Sequence, residues 1–505
     1  MTATRSKPAP LGANYWKLFT ASTMTNLGDG LMAVAVVWLA SALTRDPTLI
    51  ALVGLASRLP WLVFSLPAGV ITDRFDRRVL VAWMDVVRVV IIAGFAVVVV
   101  LHQNTLPTPE QLAAGAPAPE RAGFLLFMLA LASLLLGFAE VVRDNAAQTL
   151  MASVVQKSQL ERANGRLWGA ETAMNNFVGP PLGGVIIAVG LALPFFLNAG
   201  LLAAGAALIF GLTGTFLPKG ERTEGKIRWR AEMGEGFRWL WNHALLRTLA
   251  IVLGAMNMLS ALAFVIMVLF VQEILGLFEG WQFGIVITGT AVGAVVGSLV
   301  AERVSARLTP GTSLFVSIVG MGVTFLVIGL TSSAVLVWLV GVVSGLFIVL
   351  WNVITVSLRQ RIIPDHLLGR VNSVYRFFGW GTISLGTLLG GVLVSLGEPV
   401  LGREWALRMP FLLAGVAQLC LLVVALPRLN TSRIEAAQAA AEAEQAAAAP
   451  TGAEQPPSGQ TTSGAETGPG AEPAVIGQEV PPPATGGSGL GQIGASDPDE
   501  APERR

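Results

Sequence analysis

Gly69-Val70-Ile71-Thr72-Asp73-Arg74-Phe75-Asp76-Arg77-Arg78 is a burst of charge between two apolar stretches, each long enough to cross a bilayer as a helix. A Gly at a helix end lets the backbone turn tightly. An acid and an Arg follow at fixed offsets, and a basic pair then holds the loop on the cytoplasmic side.

The composition around that loop belongs to a membrane chain. Hydrophobic residues make up 53% of the sequence and charged residues 13%, against roughly 25% charged in soluble domains. Apolar runs near bilayer length recur about twelve times, at roughly 15–43, 49–71, 79–101, 123–142, 167–189, 194–217, 246–271, 281–300, 313–330, 335–356, 374–396 and 409–426. With both termini placed in the cytoplasm, inside loops hold Arg74, Arg77, Arg78, Lys157, Arg162, Lys219, Arg222, Lys226, Arg228, Arg230, Arg303, Arg307, Arg359 and Arg361. Outside loops hold Arg45, Arg121, Arg403 and Arg408. That asymmetry is what an even number of spans gives.

Several function classes drop out. The lone Cys420 allows neither an internal disulfide nor a cysteine metal cluster, and His102, His243 and His366 fit no zinc spacing. A net charge of +1 offers no footprint for nucleic acid. The polar first ten residues and the long run behind them do not read as a cleavable signal. Gly220-Glu221-Arg222-Thr223-Glu224-Gly225-Lys226-Ile227 has phosphate-loop spacing, but it ends in Ile227 where a hydroxyl is needed, and no strand precedes it. No zinc-protease helix and no Gly-x-Ser-x-Gly turn occurs, so an enzyme is not expected, nor any cofactor or metal.

Two halves are visible. Val154, Leu160, Arg162, Ala163, Asn164 and Gly165 align with Ile362, Leu368, Arg370, Val371, Asn372 and Ser373, with Asp144 opposite Asn352. After a one-residue slip, Gly179, Gly183 and Gly184 meet Gly386, Gly390 and Gly391. Parallel repeats related by an axis along the membrane normal follow. The expected organisation is a six-helix bundle over 1–217, a cytoplasmic linker over 218–242, a second bundle over 243–428 and a disordered tail over 429–505, helical at most transiently across 434–449. In the linker, Ile227, Trp229, Phe237 and Trp239 alternate with charges as in an interfacial helix.

The loop spacing, Gly69, then Asp73-Arg74, then Arg77-Arg78, resembles the loop between helices two and three of the major facilitator superfamily, with Asp76 where that family usually has a second Gly. The resemblance spans roughly residues 12 to 428 and implies an all-α polytopic protein of twelve transmembrane helices in two parallel repeats. In that family the acid matching Asp73 faces the cytoplasmic start of helix eleven and closes the outward-facing state. Gly179-Pro180-Pro181-Leu182-Gly183-Gly184 resembles the end of the antiporter motif of the fifth helix, which meets the eighth at the seam. Gly289, Gly293 and Gly297 of the eighth span repeat every fourth residue, the pattern of close helix packing. Asn26-Leu27-Gly28-Asp29-Gly30 and the run Arg162-Ala163-Asn164-Gly165 are similar to the branch holding macrolide and siderophore exporters.

Ionisable residues inside apolar runs are the candidates for chemistry, each costing about 2.5 to 3.5 kcal/mol near a helix centre on insertion scales. Asp29 lies midway along the first span, where a carboxyl short of water exchanges protons near neutral pH and its flanking glycines admit a ligand. Arg58 in the neighbouring span is its expected partner, and a purely structural pair is the competing reading. Asp85 and Arg88 lie three apart in the cytoplasmic half of the third span, and Glu140, Arg143 and Asp144 close the fourth. By resemblance, Arg143 matches a functional Arg of helix four. Glu171, one turn from Asn175, is a second titratable acid near the expected seam, and Arg376, at comparable depth in the eleventh span, is a candidate counter-ion to an acid across it. With Asn26, Asp29, Arg58, Asn257, Trp351 and Asn352 they make up the expected midplane cavity between the halves. The expectation is a proton-coupled antiporter that exports a small organic molecule, such as a drug, siderophore or metabolite, across the cytoplasmic membrane by alternating access, both termini inside, with that molecule, protons and lipid as partners. An importer of the same fold or a non-transporting scaffold are the other readings.

Overall fold

Apolar runs of this length must satisfy their own backbone, and in lipid a helix does so within one segment. In the computed structural model, which describes residues 10–72, 74–156, 159–214, 216 and 229–448, every regular element is helical. The first half contains α1 Ala13–Leu43, α2 Pro47–Thr72, α3 Arg77–His102, α4 Ala122–Val154, α5 and α6 Leu193–Phe210. Helix α5 has three consecutive parts, Leu160–Thr172, Ala173–Val178 and Gly179–Val189. In the second half come α7 Ala244–Glu273, α8 Gly280–Arg307, α9 Pro310–Leu330, α10 Ala334–Ile362 and a final run Asp365–Ala425.

Eleven described helices are long and apolar enough to span a bilayer, and the apolar part of the final run alone is 49 residues. At 1.5 Å per residue that is about 74 Å, more than twice a hydrocarbon core of about 30 Å. Gly402 breaks it with φ 75°, a left-handed backbone that favours glycine. The run is therefore two helices, α11 (365–401) and α12 (403–425), together long enough for two passages, which is consistent with a total of twelve.

Helix pairings repeat across the halves. In the first, α1 packs on α5, α2 on α4 and α3 on α6; in the second, α7 packs on α11, α8 on α10 and α9 on α12. The halves meet along α2 with α11 and α5 with α8, again a matched pair. One core joins both halves around Val34, Leu43, Phe95, Phe195, Phe270, Phe283 and Phe411. At the end bearing the α2–α3 loop, hereafter the basic end, that core gives way to separate ones within each half: Tyr15, Leu18 and Leu150, and a small cluster of Ala68, Val141 and Val142, in the first, and Leu246, Trp351 and Tyr375 in the second.

Two expectations change, and Asp76 gains a role. Helix α2 runs through Gly69 to Thr72, so the turn falls later, where the backbone N–H groups of Arg74 and Phe75 both donate to Ile71 O. Asp76, the departure from the family pattern, caps α3 by accepting from Arg78 N at 2.9 Å and Val79 N at 3.3 Å, and its other oxygen accepts from Phe216 N. The tail is ordered over Thr431–Ala448: the Ala-rich segment is a strong helix former, and Ile434, Ala437 and Ala441 share one face against the second half's core. Residues 449–505 and 217–228 lie outside the described residues, while the linker helix Trp229–Asn242 docks through Leu240 and an ion pair of Glu235 with Arg370 at 2.6 Å.

Candidate functional site

Asp29 sits midway along α1 between two glycines, and the structure shows what those glycines admit. A Cβ on Gly28 would strike the side chain of Asn198 in α6, and one on Gly30 would lie 2.8 Å from Met174 O and 2.9 Å from Gly179 Cα in α5. They let helices close in on Asp29 rather than a ligand reach the backbone. The neighbouring stretch of α5 is widened: Ala173–Val178 is π-helical, with Gly179 N–H donating to Met174 O. Pro180 and Pro181 have no N–H to donate, which frees carbonyls one turn earlier and favours the bulge.

The partner of Asp29 is Arg88 of α3, and not Arg58. Arg88 also faces Asp85 at 3.8 Å, Asp85 faces Arg143 of α4 at 3.4 Å, and Arg143 pairs with Asp144 at 3.2 Å. Arg143 further donates to Thr25 Oγ1 of α1 at 3.3 Å. Asp85 is fully buried and Arg88 and Arg143 are each 3% exposed, so all three are enclosed by protein. Neither Asp85 oxygen makes a hydrogen bond; the carboxylate is held by charge alone between two guanidiniums. Three helices are thereby fastened by one alternating chain of charge.

A cavity of about 640 Å³ opens along this chain, lined by Ser22, Asn26 and Asp29 of α1, by Glu140, Arg143, Asp144, Gln148 and Met151 of α4, and by Asn164, Trp168, Glu171 and Asn175 of α5. It runs toward the basic end, where exposed Asn164 and Gly165 line it. Glu140 and Glu171 form no ion pair among the described residues. Its walls belong to the first half, which differs from a cavity shared between halves. Trp351 is buried in the second half's core, Asn257 donates to Gly379 O at 3.1 Å and ties α7 to α11, and exposed Asn352 donates back to Ile348 O at 3.0 Å. Arg58 is exposed on α2; Arg376 lies on α11 with its side chain outside the described set, as Asp73 is altogether.

At the seam, a Cβ on Gly184 of α5 would collide with Gly280 O of α8, and one on Gly284 would lie 2.7 Å from Pro180 O; Gly183 packs instead on Leu31 O of α1. Gly289, Gly293 and Gly297 pack on Trp338, Val342 and Leu346 of α10, inside the second half and away from the seam. In the first turn of α3, Arg78 donates to Leu212 O at 2.7 Å and Arg77 to Ser153 Oγ at 3.0 Å, so the basic pair clamps the ends of α6 and α4; Arg74 of the α2–α3 loop is exposed.

The opposite end carries a second charged assembly that sequence reasoning missed. Arg403 grips Glu273 through two bonds, at 2.7 and 2.9 Å, and Glu398 through a third at 2.9 Å, and donates to Arg45 O at 2.8 Å. Arg45 faces Glu273 at 3.4 Å, Gln272 donates to Ser41 Oγ at 3.0 Å, and Thr48 meets Ser395 at 2.8 Å. The signal was available: Arg45 and Arg403 are two of the few basic residues in loops assigned outside.

The model of the Major Facilitator Superfamily matches residues 18–387. The chain belongs to that superfamily. Relatives of this major facilitator chain include the "Multidrug efflux pump Tap" of Mycolicibacterium fortuitum, 27% identical over 82% of this chain and 95% of that protein. The "Enterobactin exporter EntS" of Citrobacter koseri is 24% identical over 76% of this chain and 86% of that protein. Solved structures that share the major facilitator fold include a bacterial homologue of the lysosomal transporter Spinster, with TM-score 0.61 and 13% identity over 85% of this chain and 97% of that one. A bacterial homologue of the iron transporter ferroportin has TM-score 0.60 and 17% identity over 81% and 98%. Family and fold are those of membrane transporters.

Proposed function

We propose that this protein is a proton-coupled antiporter that takes a small organic molecule from the cytoplasm and releases it outside by alternating access between residues 1–217 and 243–428. One observation carries the reading: Asp29, paired with Arg88, lines a cavity reached from the basic end, while the other end is bolted across the halves by Arg45, Glu273 and Arg403. The bias of Lys and Arg supports a cytoplasmic basic end, with both termini on that side. The division of the core supports the same picture, because halves joined at one end and separate at the other form a vessel open one way. Exporters among the relatives favour outward direction. Asp29 is the proton-carrying group in this reading, Arg88 its counter-ion, and Glu140, Glu171, Asn26 and Asn175 contact the guest.

Everted membrane vesicles with an imposed pH gradient and no ATP test this. A fluorescent dye should accumulate, and Asp29→Asn should abolish the gradient-driven part. Accumulation only in right-side-out vesicles would make the protein an importer. Dye movement in neither preparation would mark a non-transporting component.

A further inference from the structure

The transport reading leaves the chemistry of the guest open, and the charge of the cavity decides it. With all groups ionised, Asp29, Asp85, Glu140, Asp144 and Glu171 stand against Arg88 and Arg143. Both guanidiniums are already occupied, Arg88 by Asp29 and Asp85, Arg143 by Asp85 and Asp144. Arg58 is the next cation whose field reaches Glu140, and counting it still leaves the acids in excess. Glu140 and Glu171 thus present carboxylates to the cavity with no ion-pair partner among the described residues.

A carboxylate in a wall of low dielectric is costly until a positive charge answers it. An anionic guest would add repulsion to that cost, whereas a cationic one removes it. The remaining lining is suited to the rest of such a molecule. Trp168, 70% exposed, offers an indole face on which a cation is attracted by the ring's negative face, and Met151 and Leu167 offer adaptable apolar contact. At about 640 Å³ the space falls among drug-sized ligand sites.

We infer that the guest of this cavity is an amphipathic organic cation, its positive group held between Glu140 and Glu171 and its apolar body against Trp168. This rests on the transport reading for its role but not for its test, which uses equilibrium binding without a gradient. The full-length purified protein is offered tetraphenylphosphonium and tetraphenylborate, ions of matched size and opposite charge, with displacement by excess unlabelled ion defining the specific part. Tetraphenylphosphonium should bind at least ~10-fold more tightly, and the double variant Glu140→Gln/Glu171→Gln should lower its affinity by ~10-fold or more. The variant Glu140→Asp/Glu171→Asp, which keeps the charge, should retain most of the binding and so separates charge from folding.

Equal or tighter binding of tetraphenylborate would overturn the inference. So would unchanged tetraphenylphosphonium affinity in the Gln variant. If tetraphenylborate is bound and then driven by a pH gradient in proteoliposomes, the cation fails while transport stands. If tetraphenylphosphonium is bound selectively and no gradient moves it, the cation stands and the coupling reading fails.

Discussion

Asp85 lies between two arginines with no hydrogen bond of its own, and this makes it the residue on which the first half's charge depends. Removing one member of a buried ion group strands the others, at about 3–5 kcal/mol. Asp85→Asn should therefore lower the detergent unfolding midpoint sharply, and adding Arg143→Gln should restore part of it, both read by thermal shift. Asp29→Asn should behave differently. Arg88 keeps Asp85, so the protein should remain folded and bind its guest while losing the gradient-driven flux. The sequence made Asp29 legible, since an acid centred in an apolar run is conspicuous; its partner was not. Arg58 and Arg88 are both plausible by position along their spans, and only the rotation of each helix about its axis puts Arg88 inside and Arg58 on the surface.

Helix α5 shows what an element does that its residues do not announce. The sequence offered Gly-Pro and Gly-Gly at family spacing, and packing is where they act: Gly184 and Gly284 bring α5 and α8 to backbone contact, with Gly183 doing the same toward α1. The glycines of α8 at 289, 293 and 297 have equally regular spacing and serve a joint within one half. Periodicity identifies a close contact but cannot say with which neighbour. The distinction is testable. Gly184→Val should force α5 and α8 apart, since its Cβ would meet Gly280 backbone across a seam that can separate, and should slow transport by an order of magnitude or more, a rise of about 1.4 kcal/mol or more in the barrier. Gly293→Val should instead lower stability, as its Cβ would enter Val342 backbone within a rigid pair. Flux assays and unfolding midpoints on the same preparations separate the two.

The whole molecule was legible as two repeated bundles, since span count, charge bias and internal repeat all follow from sequence. Which end stands closed did not. That depends on loops meeting across hundreds of residues, as Arg45 meets Arg403 and Thr48 meets Ser395. A cysteine pair at Thr48 and Ser395, in a Cys420→Ala background, should cross-link under oxidation and stop transport until reduced, with guest binding preserved. Glu273→Gln should loosen the same end, raising the labelling rate of a cysteine placed at Ser41. Below the bolt, the two halves share a single apolar core, and parting them wets it. Hydrating nonpolar surface raises heat capacity. If that parting limits turnover, the plot of log rate against inverse temperature should bend, steepening as the membrane is warmed, so a thermometer would report on the opening of the gate.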